Sequence, residues 1–138
     1  MPQKIRLPFI EADPAMGALS AFAYVPLQLA HQSTVLQLIG LLDTGSSVNV
    51  LPYEVGLNLG LRWETQTLSI PLGGNLGKSE AKAVILTAQI ANLAPVDLAF
   101  AWSSDRNAPL LLGQTNFFQT FDVCFYRADM SFEITTRS

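Results

Sequence analysis

The sequence feature that most constrains the fold is an uninterrupted apolar run, residues 38–42, that ends at the carboxylate of Asp43. Consecutive apolar residues of this kind are typical of a strand that is buried on both faces. Burial of an ionised carboxylate is costly unless a partner pairs with it or shares its proton. Asp43 therefore needs either a structural or a chemical explanation.

The structural explanation is a turn at the end of the strand, in which the Asp43 side chain accepts hydrogen bonds from the backbone amides of Gly45 or Ser46. The chemical explanation depends on the tetrapeptide Asp43-Thr44-Gly45-Ser46. At average residue usage, this tetrapeptide occurs by chance in a chain of this length with odds on the order of one in a thousand. Its position directly after a buried strand favours a functional role.

The rest of the chain reads as short strands separated by turn signals. Strands are predicted at residues 4–10, 21–29, 34–42, 48–51, 84–90, 96–101, 110–112, 121–126 and 131–135. Pro52 and Gly60 bracket a predicted helix over residues 53–59, and a second short helix is predicted over residues 114–119. Residues 67–72 and 78–86 flank the sequence Gly73-Gly74-Asn75-Leu76-Gly77, which predicts a hairpin with a glycine-rich tip. We expect one mostly β domain, a barrel or sandwich, over residues 1–138.

The composition bounds the partners that such a domain can have. Apolar residues make up 49% of the chain and charged residues only 14%, which excludes a disordered chain. A small protein hides less of its surface than a large one does, so part of this apolar surface is predicted to meet a partner. The net charge of −3 and the lack of a basic run argue against nucleic acid in that role. We therefore expect an oligomer.

Single residues add further limits. One cysteine, Cys124, and one histidine, His31, cannot form a disulfide or a zinc site within one chain. Cys124 is predicted to be a small buried apolar residue, and Trp102 and Phe117 to lie in the core. The sequence shows neither a signal peptide nor an apolar run fit to span a bilayer, so it predicts a cytoplasmic protein without a membrane span.

A second apolar strand, Leu110-Leu111-Leu112, ends at Gly113 late in the chain. With Asp43-Thr44-Gly45-Ser46 and the glycine-rich hairpin, it resembles the motifs of the retropepsin-like aspartic proteases, in the same order. This single-domain family includes the retroviral proteases. The resemblance extends from about residue 25 to residue 134, and it implies a small closed acid-protease β-barrel with one or two short helices.

The resemblance also implies roles for individual residues. It assigns the catalytic loop to Asp43, Thr44, Gly45 and Ser46, a substrate-binding flap to Leu72, Gly73, Gly74 and Asn75, and support of the catalytic loop to Leu112 and Gly113. It implies no metal and no cofactor. Thr44 is expected to bond across a two-fold axis, and Gly45 to let the backbone approach the carboxylate closely. Ser46, where many viral enzymes have alanine, is expected to donate a hydrogen bond to Asp43 and so to move the pH optimum towards acid.

The chain departs from the viral pattern at two positions. Retroviral enzymes usually have an aspartate soon after the catalytic triplet and an arginine after the late glycine, and these two residues pair. Ser47 and Gln114 occupy those places here. The dimer must therefore be held in another way.

Peptide hydrolysis by this route needs two carboxylates that share one proton, and the chain contains a single Asp-Thr-Gly sequence. The second carboxylate is expected from a second copy of the chain, placed by a two-fold axis beside Asp43. The resemblance thus implies a homodimeric aspartic endopeptidase in which an activated water cleaves extended peptides. Two alternatives stay open: a catalytically silent dimeric peptide-binding or scaffolding module of the same fold, and a monomeric barrel in which Asp43 only caps its own loop.

Overall fold

The computed structural model describes residues 1–71 and 80–137, and short strands dominate this part of the chain. The strands are β1 (Lys4–Pro8), β2 (Ile10–Glu11), β3 (Ala21–Phe22), β4 (Tyr24–His31), β5 (Thr34–Leu42), β6 (Val50–Leu51), β7 (Ala81–Gln89), β8 (Val96–Ser103), β9 (Leu111–Leu112), β10 (Phe121–Tyr126) and β11 (Ser131–Thr136). Two short α-helices accompany them, α1 (Tyr53–Asn58) and α2 (Phe117–Thr120). Neither these nor any other described helix is long and apolar enough to cross a bilayer.

Six of the strands close into a barrel in the order β4-β5-β9-β6-β8-β7. Two long antiparallel pairs, β4 with β5 and β7 with β8, form most of its wall. Pairing of Gln28–Ala30 in β4 with β7 closes the barrel, so Pro26 lies where β4 pairs with β5 alone. Proline has no N–H to donate to a second neighbouring strand, so it fits this position. The predicted mostly β barrel is confirmed.

The barrel core is filled by the inward-facing residues of each strand. Side chains such as Leu29, Leu86 and Leu98 are 0–1% exposed. Trp102 and Phe117 are also fully buried, as predicted, and the Tyr53 ring of α1 stacks on Trp102 with 5.7 Å between ring centroids. Helix α1 is thereby fastened to the barrel beside β6.

The prediction that residues 38–42 are buried on both faces is wrong at Ile39, which is 57% exposed. Along most of β5 the side chains alternate between the core and the outer surface. Among the described residues, only Leu41 and Leu42 of β5 pair with β9, so only this end of β5 has described strands on both edges. Ile39 lies on the outer face of the strand.

The two ends of the chain meet in a separate sheet of order β1-β11-β10. Its inner face carries Phe132 and Ile134, which are fully buried. Cys124 is exposed, so the prediction of a buried cysteine is wrong. Side chains alternate along β10, and Cys124 faces away from the core on the side opposite to Phe121 and Val123.

Candidate active site

The Asp43 loop, residues 43–49, begins where β5 ends and leads into β6. Strand β9 lies between these two strands: Leu42 is the parallel partner of Leu112, and Val50 is the antiparallel partner of Leu111. The backbone N–H of Asp43 donates to the carbonyl oxygen of Leu112 at 2.9 Å. The loop therefore crosses the carboxyl end of β9, and β9 determines where Asp43 leaves the barrel.

Gly113 packs directly against this loop. A Cβ atom at position 113 would lie 2.5 Å from the carbonyl oxygen of Val48 and 2.6 Å from that of Ser46, closer than side chains approach such atoms. Both oxygens belong to the backbone and cannot rotate away, so the close approach requires glycine. The structure thus brings together the two segments that the resemblance named separately, Asp43 to Ser46 and Leu112 to Gly113.

Asn49 is a site residue that the sequence analysis missed. Its side chain is fully buried, and its Oδ1 accepts a hydrogen bond from the backbone N–H of Gly113 at 2.8 Å. Its Nδ2 donates to the carbonyl oxygen of Ala99 at 2.9 Å. One amide group therefore fastens the Asp43 loop to β9 and β8. The signal was an amide residue between Val48 and Val50, because a polar side chain in an apolar run needs buried partners.

Asp43 itself is half-buried, and its carboxylate is oriented by its own loop. Oδ1 accepts a hydrogen bond from the backbone N–H of Gly45 at 2.9 Å, which is the turn that the sequence suggested as the structural explanation. A Cβ atom at position 45 would lie 3.2 Å from the same oxygen, so glycine leaves room for this contact. Among hydrogen bonds between described residues, Asp43 Oδ2 takes part in none. The loop thus holds Oδ1 in place, while Oδ2 is available to accept a hydrogen bond.

The expected hydrogen bond from Ser46 to Asp43 is absent from this arrangement. The Ser46 hydroxyl donates instead to the carbonyl oxygen of Val48 at 2.7 Å. A hydroxyl has one proton to donate, so Ser46 cannot also donate to Asp43. The turn of the loop brings the carbonyl oxygen of Val48, two residues further on, within hydrogen-bond distance of the Ser46 hydroxyl.

Gln114, at the position where the viral enzymes have arginine, also contacts the Asp43 loop. Its Nε2 donates to the carbonyl oxygen of Thr44 at 2.8 Å, and its backbone N–H donates to the carbonyl oxygen of Ser46 at 2.9 Å. The backbone N–H of Thr115 donates to the carbonyl oxygen of Ser47 at 2.8 Å. Residues 114 and 115 are therefore fastened to the Asp43 loop by hydrogen bonds within one chain. The Thr44 side chain is exposed.

The four residues assigned to the flap, Leu72, Gly73, Gly74 and Asn75, lie outside the described residues. The chain on either side of them forms an antiparallel pair. The N–H of Ile70 donates to the carbonyl oxygen of Ala81 at 2.9 Å, and the N–H of Ala83 donates to that of Leu68 at 2.8 Å. The bases of the predicted hairpin are thus present.

Among the described residues, no three His, Cys, Asp or Glu side chains cluster as they would around a metal ion. On the terminal sheet, the Tyr126 hydroxyl donates to Glu133 Oε1 at 2.9 Å. This hydrogen bond, with the negative charge of Glu133, raises the pKa of Tyr126 above its ordinary value of 10.0.

No protein-family model matches the chain, and no curated protein matches it in sequence. In structure, the chain is similar to a retropepsin-like aspartic protease from Rickettsia conorii, known from a crystal structure, with a TM-score of 0.68. The superposition covers 99% of this chain and 93% of that one, at 12% sequence identity. A likeness at this identity shows the fold. The chain therefore has a retropepsin-like fold: mostly β, with a closed six-stranded barrel and two short helices.

Proposed function

We propose that this chain is one half of a homodimeric aspartic endopeptidase of the retropepsin type. The observation that carries the proposal is the position of Asp43, whose loop crosses the end of β9. Gly113 packs against this loop, and Asn49 joins the end of the loop to Gly113 by a hydrogen bond. The retropepsin-like fold of the whole chain supports the same conclusion. In this proposal residues 1–138 form a single domain that contributes half of each active site.

The proposed chemistry uses two carboxylates and one water. An ionised Asp43 from one subunit takes a proton from the water, and a protonated Asp43 from the other subunit donates to the oxygen of the scissile carbonyl. The water oxygen attacks the carbonyl carbon to give a tetrahedral intermediate. The Asp43 that took the water's proton then passes it to the nitrogen, the carbon–nitrogen bond breaks, and the amine leaves. A hydroxyl proton of the intermediate returns to the other Asp43 as the product carboxyl group forms, which restores the pair. Asp43 suits this role because Gly45 fixes one of its oxygens, while Oδ2 accepts no hydrogen bond from the described residues.

The dimer follows from the single Asp-Thr-Gly sequence in the chain. A two-fold axis beside Asp43 sets each residue of the loop opposite its own equivalent. The exposed side chain of Thr44 would then bond across the axis. Gln114 supports this arrangement from within each chain, since it holds the Thr44 carbonyl oxygen.

The proposed substrates are extended peptide segments, bound as an added β-strand beneath the predicted flap of residues 72–75. The low content of charged residues, 14%, suggests a preference for apolar side chains around the cleaved bond. The antiparallel bases of the hairpin, Leu68 with Ala83 and Ile70 with Ala81, are placed to carry such a flap.

Incubation of the protein with a peptide library at acid and at neutral pH tests the proposal. We expect cleavage by the wild type, none above background by Asp43→Asn, and wild-type cleavage by Asp97→Asn, whose carboxylate is exposed on β8. Equal cleavage by wild type and Asp43→Asn would point to a contaminating protease and would contradict the proposal. A wild-type dimer that binds peptides without cleaving them would favour the silent peptide-binding module.

A further inference from the structure

Asn116 has a backbone conformation that residues with a side chain rarely adopt. Its φ is 84° and its ψ is −60°, the values of a classic γ-turn, which is rare and strained. Strained residues of this kind persist only where the surrounding structure fixes them, and they cluster at functional sites. The contacts of Asn116 therefore indicate what the strain supports.

The backbone of Asn116 is fixed by the short helix that it begins. Its N–H donates to Gln119 Oε1 at 2.8 Å, in the capping box of α2. Its carbonyl oxygen accepts hydrogen bonds from the N–H of Thr120 at 2.9 Å and from the Thr120 hydroxyl at 2.6 Å. Capping alone does not require the strain, because the residue that caps a helix typically lies in the β region.

The side chain of Asn116 reaches beyond the helix to β8. Its Oδ1 accepts a hydrogen bond from the backbone N–H of Ala99 at 2.8 Å. The carbonyl oxygen of the same Ala99 accepts the hydrogen bond from Asn49 Nδ2. Asn116 Oδ1 also lies 3.4 Å from Asn49 Nδ2, within reach of its second proton. One residue of β8 is therefore held by two amide side chains that lie beside each other.

The carboxamide of Asn49 is buried, so each of its polar atoms needs a partner. Its nitrogen has two protons to donate, and its oxygen only accepts. Nδ2 faces two oxygens, those of Ala99 and Asn116, while Oδ1 faces the N–H of Gly113. The reverse orientation would set oxygen against two oxygens and N–H against N–H. Asn116 thus supplies the second acceptor that keeps Asn49 Oδ1 directed at Gly113.

We infer that Asn116 is a positioning residue for the proposed reaction. It fixes the carboxamide of Asn49, Asn49 fixes Gly113, and Gly113 packs against the carbonyl oxygens of the loop that carries Asp43. The strained backbone at residue 116 aims Oδ1 at Ala99 and Asn49. The inference rests on the proposed function, since it concerns the placement of Asp43 for hydrolysis.

The kinetics of peptide cleavage by Asn116→Gly and Asn116→Asp test the inference. Glycine fits a φ of 84° but lacks the oxygen, whereas aspartate keeps an oxygen that accepts from both Ala99 and Asn49. We expect Asn116→Gly to lower kcat at least about tenfold at an unchanged KM, because a misplaced catalytic group slows the chemical step. Asn116→Asp should retain most of the wild-type kcat. A wild-type kcat in Asn116→Gly, or a kcat as low in Asn116→Asp as in Asn116→Gly, would overturn the inference.

Two controls separate positioning from folding. Gln32→Gly also replaces a residue of positive φ, 52°, but at the exposed tip of the β4–β5 hairpin. Gln119→Ala removes the partner of the Asn116 N–H and weakens the cap of α2, while the Asn116 side chain stays. Both should leave kcat unchanged. A kcat lowered as far by Gln119→Ala as by Asn116→Gly would show that capping of α2 is responsible and would overturn the inference.

Thermal melting verifies that each variant folds. Asn116→Ser, which also lacks the carboxamide, takes the place of Asn116→Gly if that variant does not fold, and the same loss of kcat is expected.

Hydrogen exchange of the Gly113 N–H, followed by NMR, gives a measurement that needs no cleavage. If Asn116 holds Asn49 against Gly113, this proton should exchange at least about tenfold faster in Asn116→Gly than in the wild type, relative to the N–H of the buried Leu29. The comparison with Leu29 removes the effect of a change in overall stability. Unchanged exchange at Gly113 would overturn the inference.

The outcomes distinguish this inference from the proposed function. Asp43-dependent cleavage with a wild-type kcat in Asn116→Gly overturns the inference alone. Faster exchange at Gly113 in a chain that cleaves no peptide upholds the hold of Asn116 on the Asp43 loop and contradicts the protease. Absence of cleavage together with unchanged exchange contradicts both.

Discussion

The side chain of Asn49 and the backbone of Gly113 are joined by a hydrogen bond in which the Gly113 N–H donates to Asn49 Oδ1 at 2.8 Å. The bond links residues 64 positions apart, and both partners are buried. Because Asn49 ends the Asp43 loop and Gly113 follows β9, this bond ties the loop to the barrel.

Replacement of Asn49 by alanine should therefore destabilise the protein. The variant leaves the Gly113 N–H and the Ala99 carbonyl oxygen without their buried partner, which should cost about 2–4 kcal/mol of the free energy of unfolding. Urea unfolding measures this loss. Asn92→Ala is the matched control, because Asn92 is exposed in a turn and should change stability by less than about 0.5 kcal/mol. Equal stability of Asn49→Ala and wild type would contradict the role of the bond.

Gly113→Ala should be more damaging than its single methyl group suggests. The new Cβ meets two backbone oxygens at 2.5 and 2.6 Å, so either the loop or β9 must move. We expect a loss of about 3 kcal/mol or more, or a failure to fold, measured by thermal melting and by yield of folded protein. Gly17→Ala is a graded control: no atom lies within 4 Å of its new Cβ, and only the positive φ of 55° opposes it, at a cost of about 1 kcal/mol. A Gly113→Ala variant as stable as Gly17→Ala would show that the loop yields freely.

Ser46→Ala should leave the acid limb of the pH-rate profile where it is in the wild type. The Ser46 hydroxyl donates to the Val48 carbonyl oxygen and not to Asp43, so its removal does not change what surrounds the carboxylate directly. The lost hydrogen bond should instead lower the free energy of unfolding by about 1 kcal/mol. The prediction is tested by pH-rate profiles and thermal melting curves of the wild type and Ser46→Ala. Ser47→Ala, at an exposed position, is the control. An acid limb that moves only in Ser46→Ala would restore the hydrogen bond first expected from the sequence.

Tyr126 gives a pH-dependent prediction on the terminal sheet. Its hydrogen bond to Glu133 raises the pKa of Tyr126, so the phenol stays protonated to higher pH in the folded chain than in the unfolded one. The stabilisation is fully present below pH 10.0 and is lost as the pH rises through the folded-state pKa. Absorbance titration at alkaline pH should show one tyrosine that titrates late in the wild type and earlier in Glu133→Gln. Loss of the late step in Tyr126→Phe assigns it; a late step that persists there would contradict the assignment.

Much of the fold was predictable from local patterns. The barrel strands β4 and β5 alternate or concentrate apolar residues as strands do, and Pro52 and Gly60 bracket α1 closely. The pairing of Leu42 with Leu112 was reachable only through the resemblance, because parallel neighbours 70 residues apart leave no local trace. The pattern of apolar and polar residues within one strand does not identify the distant strand that pairs with it.

The errors have different physical causes. Cys124 and Ile39 are apolar residues that lie exposed on the outer face of a strand, and a sequence pattern does not say which apolar residues the folded chain leaves exposed. Ser46 was expected to contact Asp43 because they are neighbours, but the direction of a hydroxyl depends on the backbone turn. Asn49 was overlooked because its partners, Gly113 and Ala99, are remote in sequence.

The central claim, that each active site takes one Asp43 from each of two chains, is tested most directly by mixing wild type with Asp43→Asn at constant total concentration. Asparagine preserves the shape of the loop and can accept the Gly45 hydrogen bond, so mixed dimers should form at random once subunits exchange. If both carboxylates are needed, an equal mixture should retain about one quarter of the wild-type activity, and activity should follow the square of the wild-type fraction. Activity that falls only in proportion to that fraction, to about one half in the equal mixture, would show that each chain acts alone and would contradict the account.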